Sequence, residues 1–186
     1  QTSQLPATET SHQLSCVVSA DGYVAPARDG LHCTGASFVF DSTDLQLSPE
    51  EQAGNLVRLQ QLSPALHAAL GGDALSSAPL RGHAALRCST PDYLPIFGPL
   101  ADAARFQDDY AKLGQDARWQ AETSCPWLPG LYVNLAHGSR GLVTAPLAGE
   151  VLAAMLSGEP APLPRPVLDA CHPNRFLVRA LVRGQN

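Results

Sequence analysis

Two short stretches of this chain combine residue types that could do chemistry. In the first, Arg87-Cys88-Ser89-Thr90-Pro91-Asp92, a guanidinium stands at the end of an extended segment, just before a proline-stiffened turn. Arginine is the side chain best matched to a carboxylate, because its fork of N–H donors pairs with both oxygens. The same Arg87 paired with Asp92 would instead staple the turn. The second stretch, His137-Gly138-Ser139-Arg140-Gly141-Leu142, follows an apolar run and precedes a segment rich in Ala, Leu and Met. A strand, a glycine loop and a helix in that order bring backbone amides toward an anionic or electron-rich group, with Arg140 as a fixed positive charge. An ordinary strand-to-helix turn has the same spacing.

Other chemistries find less support. The histidines His12, His32, His67, His83, His137 and His172 are far apart and show no metal-ligand spacing, so no metal is expected. There is no G-x-S-x-G nucleophile elbow, and no G-x-G-x-x-G dinucleotide fingerprint follows a strand. Five cysteines, an odd number without a C-x-x-C pair, argue against a disulfide framework or zinc ribbon. A net charge of −5 argues against nucleic-acid binding through the overall field. The local exception is the tail, where Arg175, Arg179 and Arg183 recur every four residues with Arg165 nearby, a stripe read as a solvated helix face or a basic patch. No apolar run reaches membrane-span length and the first fifteen residues are polar, which gives the cytoplasm as the expected location and no membrane partner.

The elements that must position these stretches follow from local signals. Residues 13–19 and 35–40 have strand character, and Asp21-Gly22-Tyr23 between them is a hairpin-turn signal. With a second turn at 26–30, the region reads as an antiparallel meander. Ser48-Pro49-Glu50-Glu51 supplies an N-cap, a first-turn proline and acidic residues that complement the helix dipole, which predicts a helix carrying Leu56, Val57, Leu59 and Leu62 on its apolar side. A further helical turn is predicted over 64–70 and a Gly/Ser/Ala-rich linker over 71–79. Residues 102–113 are helix-compatible, 127–130 form a turn, 131–135 a buried strand and 142–156 an apolar helix stopped by Ser157-Gly158. The proline-rich 159–166 connects to one last short helix.

Taken together, the motifs Arg87-x-x-Thr90-x-Asp92-x-x-Pro95-x-x-Gly98 and Ala136-His137-Gly138-Ser139-Arg140-Gly141-Leu142 resemble those of the D-amino-acid oxidase/glycine oxidase superfamily of FAD-dependent enzymes. Within it, Asp21-Gly22-Tyr23 with His32 to Ser37, Gly138 to Leu142 with Ala145-Pro146-Leu147, and the ending His172-Pro173-Asn174-Arg175-Phe176 resemble the oxidoreductase part of bifunctional enzymes that modify the tRNA wobble uridine.

The resemblance implies an α+β fold: a mainly antiparallel, mixed sheet flanked by helices. Residues 1–100 would form the substrate-binding sheet, 101–126 a helix and connector, 127–158 a return segment completing the FAD site, and 159–186 a tail with a short helix. The FAD-binding domain and a methyltransferase domain would lie outside this chain, so FAD is expected to be absent from it or weakly bound. The implied reaction removes the carboxymethyl group from 5-carboxymethylaminomethyl(-2-thio)uridine in tRNA to leave a 5-aminomethyl group. Arg87 would clamp the substrate carboxylate. Tyr23 would line the substrate pocket, or simply pack. His137, Gly138, Ser139, Arg140, Gly141 and Leu142 would hold the edge of the flavin ring. With the redox step carried by the cofactor, no catalytic acid or base is expected. The alternatives are a glycine- or sarcosine-type oxidase acting on a free amino acid, or a catalytically silent tRNA-docking module.

Overall fold

A computed structural model of the chain describes residues 1–184. Two compact units make it up, Gln1–Leu86 and Arg87–Asn186. Both are α+β, and among the described residues every strand pairing is antiparallel.

In the first unit five strands, β1 (Thr2–Pro6), β2 (Val18–Ser19), β3 (Tyr23–Val24), β4 (Leu31–Gly35) and β5 (Arg81–His83), form one sheet in the order β2-β3-β4-β1-β5. The predicted meander is its β2-β3-β4 part. Between β3 and β4 the chain reverses over Asp29 and Gly30, with φ of 51° and 77°. Arg28 and Leu31 exchange N–H···O bonds of 2.9 and 3.0 Å across that turn. Two successive positive φ values match the right-handed twist of the strands they join, which is why Asp-Gly is favoured there. At β5 a side chain is excluded: a Cβ on Gly82 would stand 2.8 Å from the Thr2 carbonyl oxygen.

Two expected strands are shorter than their composition suggests. The strand predicted over 13–19 shrinks to β2, because residues 11–13 form a 3-10 turn whose Ser11 hydroxyl is drawn to the Nε2 of the buried His32, 2.9 Å away. Of the strand predicted over 35–40 only Gly35 is in a strand, as the last residue of β4. Ser37 N–H still donates to the Gln1 carbonyl, but Phe38, Val39 and Phe40 are exposed.

Helix α1 (Pro49–Leu62) starts where its cap predicts: the Ser48 hydroxyl accepts the Glu51 N–H at 3.2 Å. It sets Leu56 and Leu59 into a core with Leu5, Val24, Leu70 and Leu75, while Val57 stands on the outer side. Ser63 ends α1 and caps α2 (Pro64–Ala69) by accepting the Leu66 N–H. The predicted linker contains a 3-10 turn over Gly72–Ser77 that buries Leu75.

In the second unit β6 (Ile96–Ala101) pairs with β7 (Trp127–Leu135). Helix α3 (Ala103–Asp109) and a 3-10 turn at Ala111–Gly114 lie between them in sequence, and α4 (Gly141–Ser157), α5 (Arg165–Cys171) and α6 (Arg175–Val182) follow. Gly158, left-handed at φ 70°, ends α4 where its sequence predicted a stop. One core joins Phe97, Ala148, Val151 and Cys171; another joins Ala101, Phe106, Leu113 and Leu181.

Three expectations are corrected here. Residues 127–130 are part of β7, and the turn signal marks a bulge: Pro99 pairs with Tyr132 but Ala101 pairs with Trp127. Strand β7 is not buried, since Trp127, Leu131 and Leu135 are exposed. Its apolar run was a sound sign of a strand and a poor guide to depth, because within this unit it pairs with β6 alone. The tail holds two helices rather than one, α5 and α6, separated by His172–Asn174.

Candidate functional site

The two stretches singled out by residue type meet in the second unit. As β7 ends, Ala136 (φ 60°) and Gly138 (φ 55°) turn the chain into a 3-10 turn over Gly138–Arg140 and then into α4. The Gly138 N–H donates to the Cys88 carbonyl at 3.1 Å, and Ser89 and His137 form an isolated antiparallel bridge. Residues about fifty positions apart in sequence thus run side by side, which puts the segment that begins at Arg87 against the loop that opens α4.

His137 is the pin of that loop. Asn134 donates through Nδ2 to the Ala145 carbonyl at 3.2 Å, which turns its Oδ1 toward the imidazole Nε2 at 2.7 Å. An amide oxygen only accepts, so Nε2 carries a proton. The other ring nitrogen is 2.8 Å from the Thr144 hydroxyl, which also lies 3.0 Å from the Arg140 carbonyl. Strand end, loop and first helical turn are thereby tied through one ring. Neither Asn134 nor Thr144 was singled out in the sequence, because each matters only through the imidazole between them.

The turn after Arg87 has a tie of its own. Asp92 accepts from the Thr90 hydroxyl at 2.9 Å and the Leu94 N–H at 3.2 Å, an Asx-type turn. Its carboxylate is paired by Arg175 through Nε and an Nη, both at 3.0 Å, and by Arg179. The turn's staple therefore comes from α6, over eighty residues away, in place of the Arg87–Asp92 pairing weighed from sequence. The arginine stripe of the tail is corrected with it: the Arg175 side chain is only 5% exposed. The Arg175 guanidinium holds the Asp92 carboxyl well below the usual carboxylate range; partial burial opposes this, and Arg179, Thr90 and the Leu94 amide reinforce it. Between α5 and α6, His172 accepts the Asn174 N–H at Nδ1 (3.0 Å), and burial pushes its pKa down.

The remaining candidates are placed as follows. Arg87 is exposed at the start of the second unit. Ser139, Arg140 and Leu142 are also exposed, Leu142 at 98%. Helix α4 has no side-chain cap and no acidic residue in its first turn. Tyr23 belongs to the first unit, where its hydroxyl lies 3.7 Å from the Cys33 sulfur. Among the described residues no group of three or more His, Cys, Asp or Glu could hold a metal ion, and no helix is long and apolar enough to cross a membrane.

The FAD dependent oxidoreductase family model matches residues 2–155. The chain is 57% identical, over its whole length, to the tRNA 5-methylaminomethyl-2-thiouridine biosynthesis bifunctional protein MnmC of Pseudomonas aeruginosa. It is 57% identical over 99% of its length to the protein of that name from Ectopseudomonas mendocina, and 55% identical to that from Stutzerimonas stutzeri. In each case it spans 28% of the relative's length. The matched residues include both Arg87–Asp92 and the loop pinned by His137, and the chain belongs to the FAD dependent oxidoreductase family.

Proposed function

We propose that this chain is the substrate-side part of an FAD-dependent oxidoreductase acting on a C–H bond next to an amine, with the carboxymethylaminomethyl group of a tRNA wobble uridine as substrate. The observation that carries this reading is the contact between the Arg87 segment and the α4 loop through Cys88 and Gly138. It brings the backbone that follows Arg87 against the loop that opens α4, which supports a reading in which that guanidinium meets the carboxylate of an N-substituted glycine near a helix start. The names of the relatives point to tRNA.

The fit of a flavin ring is supported by the loop itself. The uncapped first turn of α4 offers amides without intrahelical acceptors, and no carboxylate stands there to repel an electron-rich edge. The Gly138 and Arg140 amides are already spent on Cys88 and His137, so the donors for a cofactor narrow to Ser139 and the first turn of α4, Gly141 and Leu142 included. In this reading His137 and Gly138 fix the loop, while Ser139, Arg140, Gly141 and Leu142 face the ring. FAD, when bound, supplies the two-electron acceptor. Arg87 holds the substrate carboxylate. Loss of hydride from the carboxymethyl carbon gives an imine; its hydrolysis releases glyoxylate and leaves the 5-aminomethyl group.

Within this account residues 127–158 complete the flavin side, and the 186 residues alone, having no glycine fingerprint, hold FAD weakly. Titrating FAD into the purified chain tests this, and tight one-to-one binding would contradict it. The substrate is tested by supplying the longer protein that contains this chain with carboxymethylaminomethyl-modified tRNA, glycine or sarcosine and measuring glyoxylate. Release from the tRNA well above that from either amino acid is expected. Turnover of glycine or sarcosine alone would favour the free amino-acid oxidase.

A further inference from the structure

The first unit contains a cavity of about 430 Å³ between α1, α2 and the 3-10 turn that follows. Nothing in the flavin and carboxylate reading uses it. Its walls include Leu56, Leu75 and Leu80, and His67, Gln60 and Asp73 supply polar groups. His67 decides its character. The residue is 7% exposed, and its imidazole has no hydrogen-bond partner among the described residues. Among those residues no side-chain nitrogen or oxygen is sealed from solvent without a partner, so the ring nitrogens keep access to solvent, and the residue itself lines the cavity. With no protein partner, the ring's hydrogen bonds are left to water or to a ligand that displaces it.

The ligand's chemistry follows from the lining. A volume of this size, apolar walls and a few convergent polar groups describe a small-molecule site. No Lys or Arg lines it, Asp73 stands at it, and residues 1–86 carry three arginines against eight carboxylates, so phosphate and carboxylate ligands are disfavoured. Imidazole and amide each donate and accept, whereas the Asp73 carboxylate only accepts. That set suits a neutral planar ring with mixed donor and acceptor edges and an amino group directed at Asp73, its faces on the apolar walls.

We propose that this cavity binds a nucleobase carrying an exocyclic amine. The choice of a nucleobase over other heteroaromatic amines rests on the tRNA reading above. The test needs neither flavin nor turnover, so its failure is separate from any failure of the oxidase assignment.

Adenosine, cytidine and uridine are titrated into the purified chain while the His67 ring resonances are followed by NMR. Adenosine or cytidine should shift the ring signals saturably and bind about tenfold or more tighter than uridine, which lacks the amine. His67→Ala should abolish binding. Asp73→Asn, at an exposed position that leaves folding intact, should erase most of the preference over uridine. Either source of the base satisfies the proposal: a single-stranded oligonucleotide of the preferred base binding more tightly than the nucleoside assigns the site to RNA, and weaker binding assigns it to a free nucleoside. No shift of the His67 ring with any nucleoside, or equal binding of all three, would overturn it.

Discussion

Asp92 and Arg175 form the pairing most open to a single substitution. The carboxylate is 20% exposed and the guanidinium 5%, and loss of one partner strands the other. Removing one member of a buried pair costs about 3–5 kcal/mol, so Asp92→Asn should lower the unfolding free energy measured in urea by an amount at the lower end of that range, because Arg179 remains half-exposed. The Asp92 carboxyl is acidified by folding, so its stabilising contribution is complete above the ordinary carboxylate pKa of about 3.9 and fades as pH falls toward its lower folded value. Asp92→Asn should therefore flatten the acid limb of the stability profile. His172 acts at milder pH: its pKa is also lowered by folding, and for a base this means that protonation favours the unfolded chain. Stability should fall as pH drops through about 6.5, the unfolded histidine value. His172→Asn, which keeps an acceptor for the Asn174 N–H, should remove that step from unfolding measured between pH 7 and 5.

At the scale of elements, Ser48→Ala deletes the hydroxyl that accepts the Glu51 N–H and should cost about 1 kcal/mol of stability, read by thermal or denaturant unfolding. That cap was legible in the sequence because capping is local: Ser, Pro and two Glu in succession need no distant partner. The Asp-Gly reversal before β4 and the glycine stop of α4 were legible for the same reason. The depth of β7 was not, since an apolar run reports what a strand can bury and not which neighbours it has. Nor was the second role of the tail. An arginine every fourth residue predicts one helix face, but only the fold brings Asp92 to that face and sinks Arg175. At the site, Arg87 and the glycine loop were legible as residue types, whereas the Cys88–Gly138 contact and the Asn134–His137–Thr144 pin depend on tertiary geometry.

For the whole molecule, the division into two units places the exposed segment 85–87, with Leu86 at 62% exposure, at their boundary. Brief chymotrypsin treatment should cut first at exposed residues outside the helices and strands, after Phe40 and Tyr93 as well as after Leu86; a first cut within α1 or α4 would contradict the division. The central claim is that Arg87, beside the loop pinned by His137, binds the carboxylate of a substrate oxidised by FAD. The most direct measurement compares Arg87 and Arg87→Ala forms of the longer protein that contains this chain, quantifying 5-aminomethyluridine formed from carboxymethylaminomethyl-modified tRNA by mass spectrometry while flavin content is read from absorbance. Loss of a charge-assisted bond is worth about 1.5–3 kcal/mol, so kcat/KM should fall roughly tenfold to a hundredfold with flavin retained. Unchanged kinetics in the Arg87→Ala protein would contradict the account.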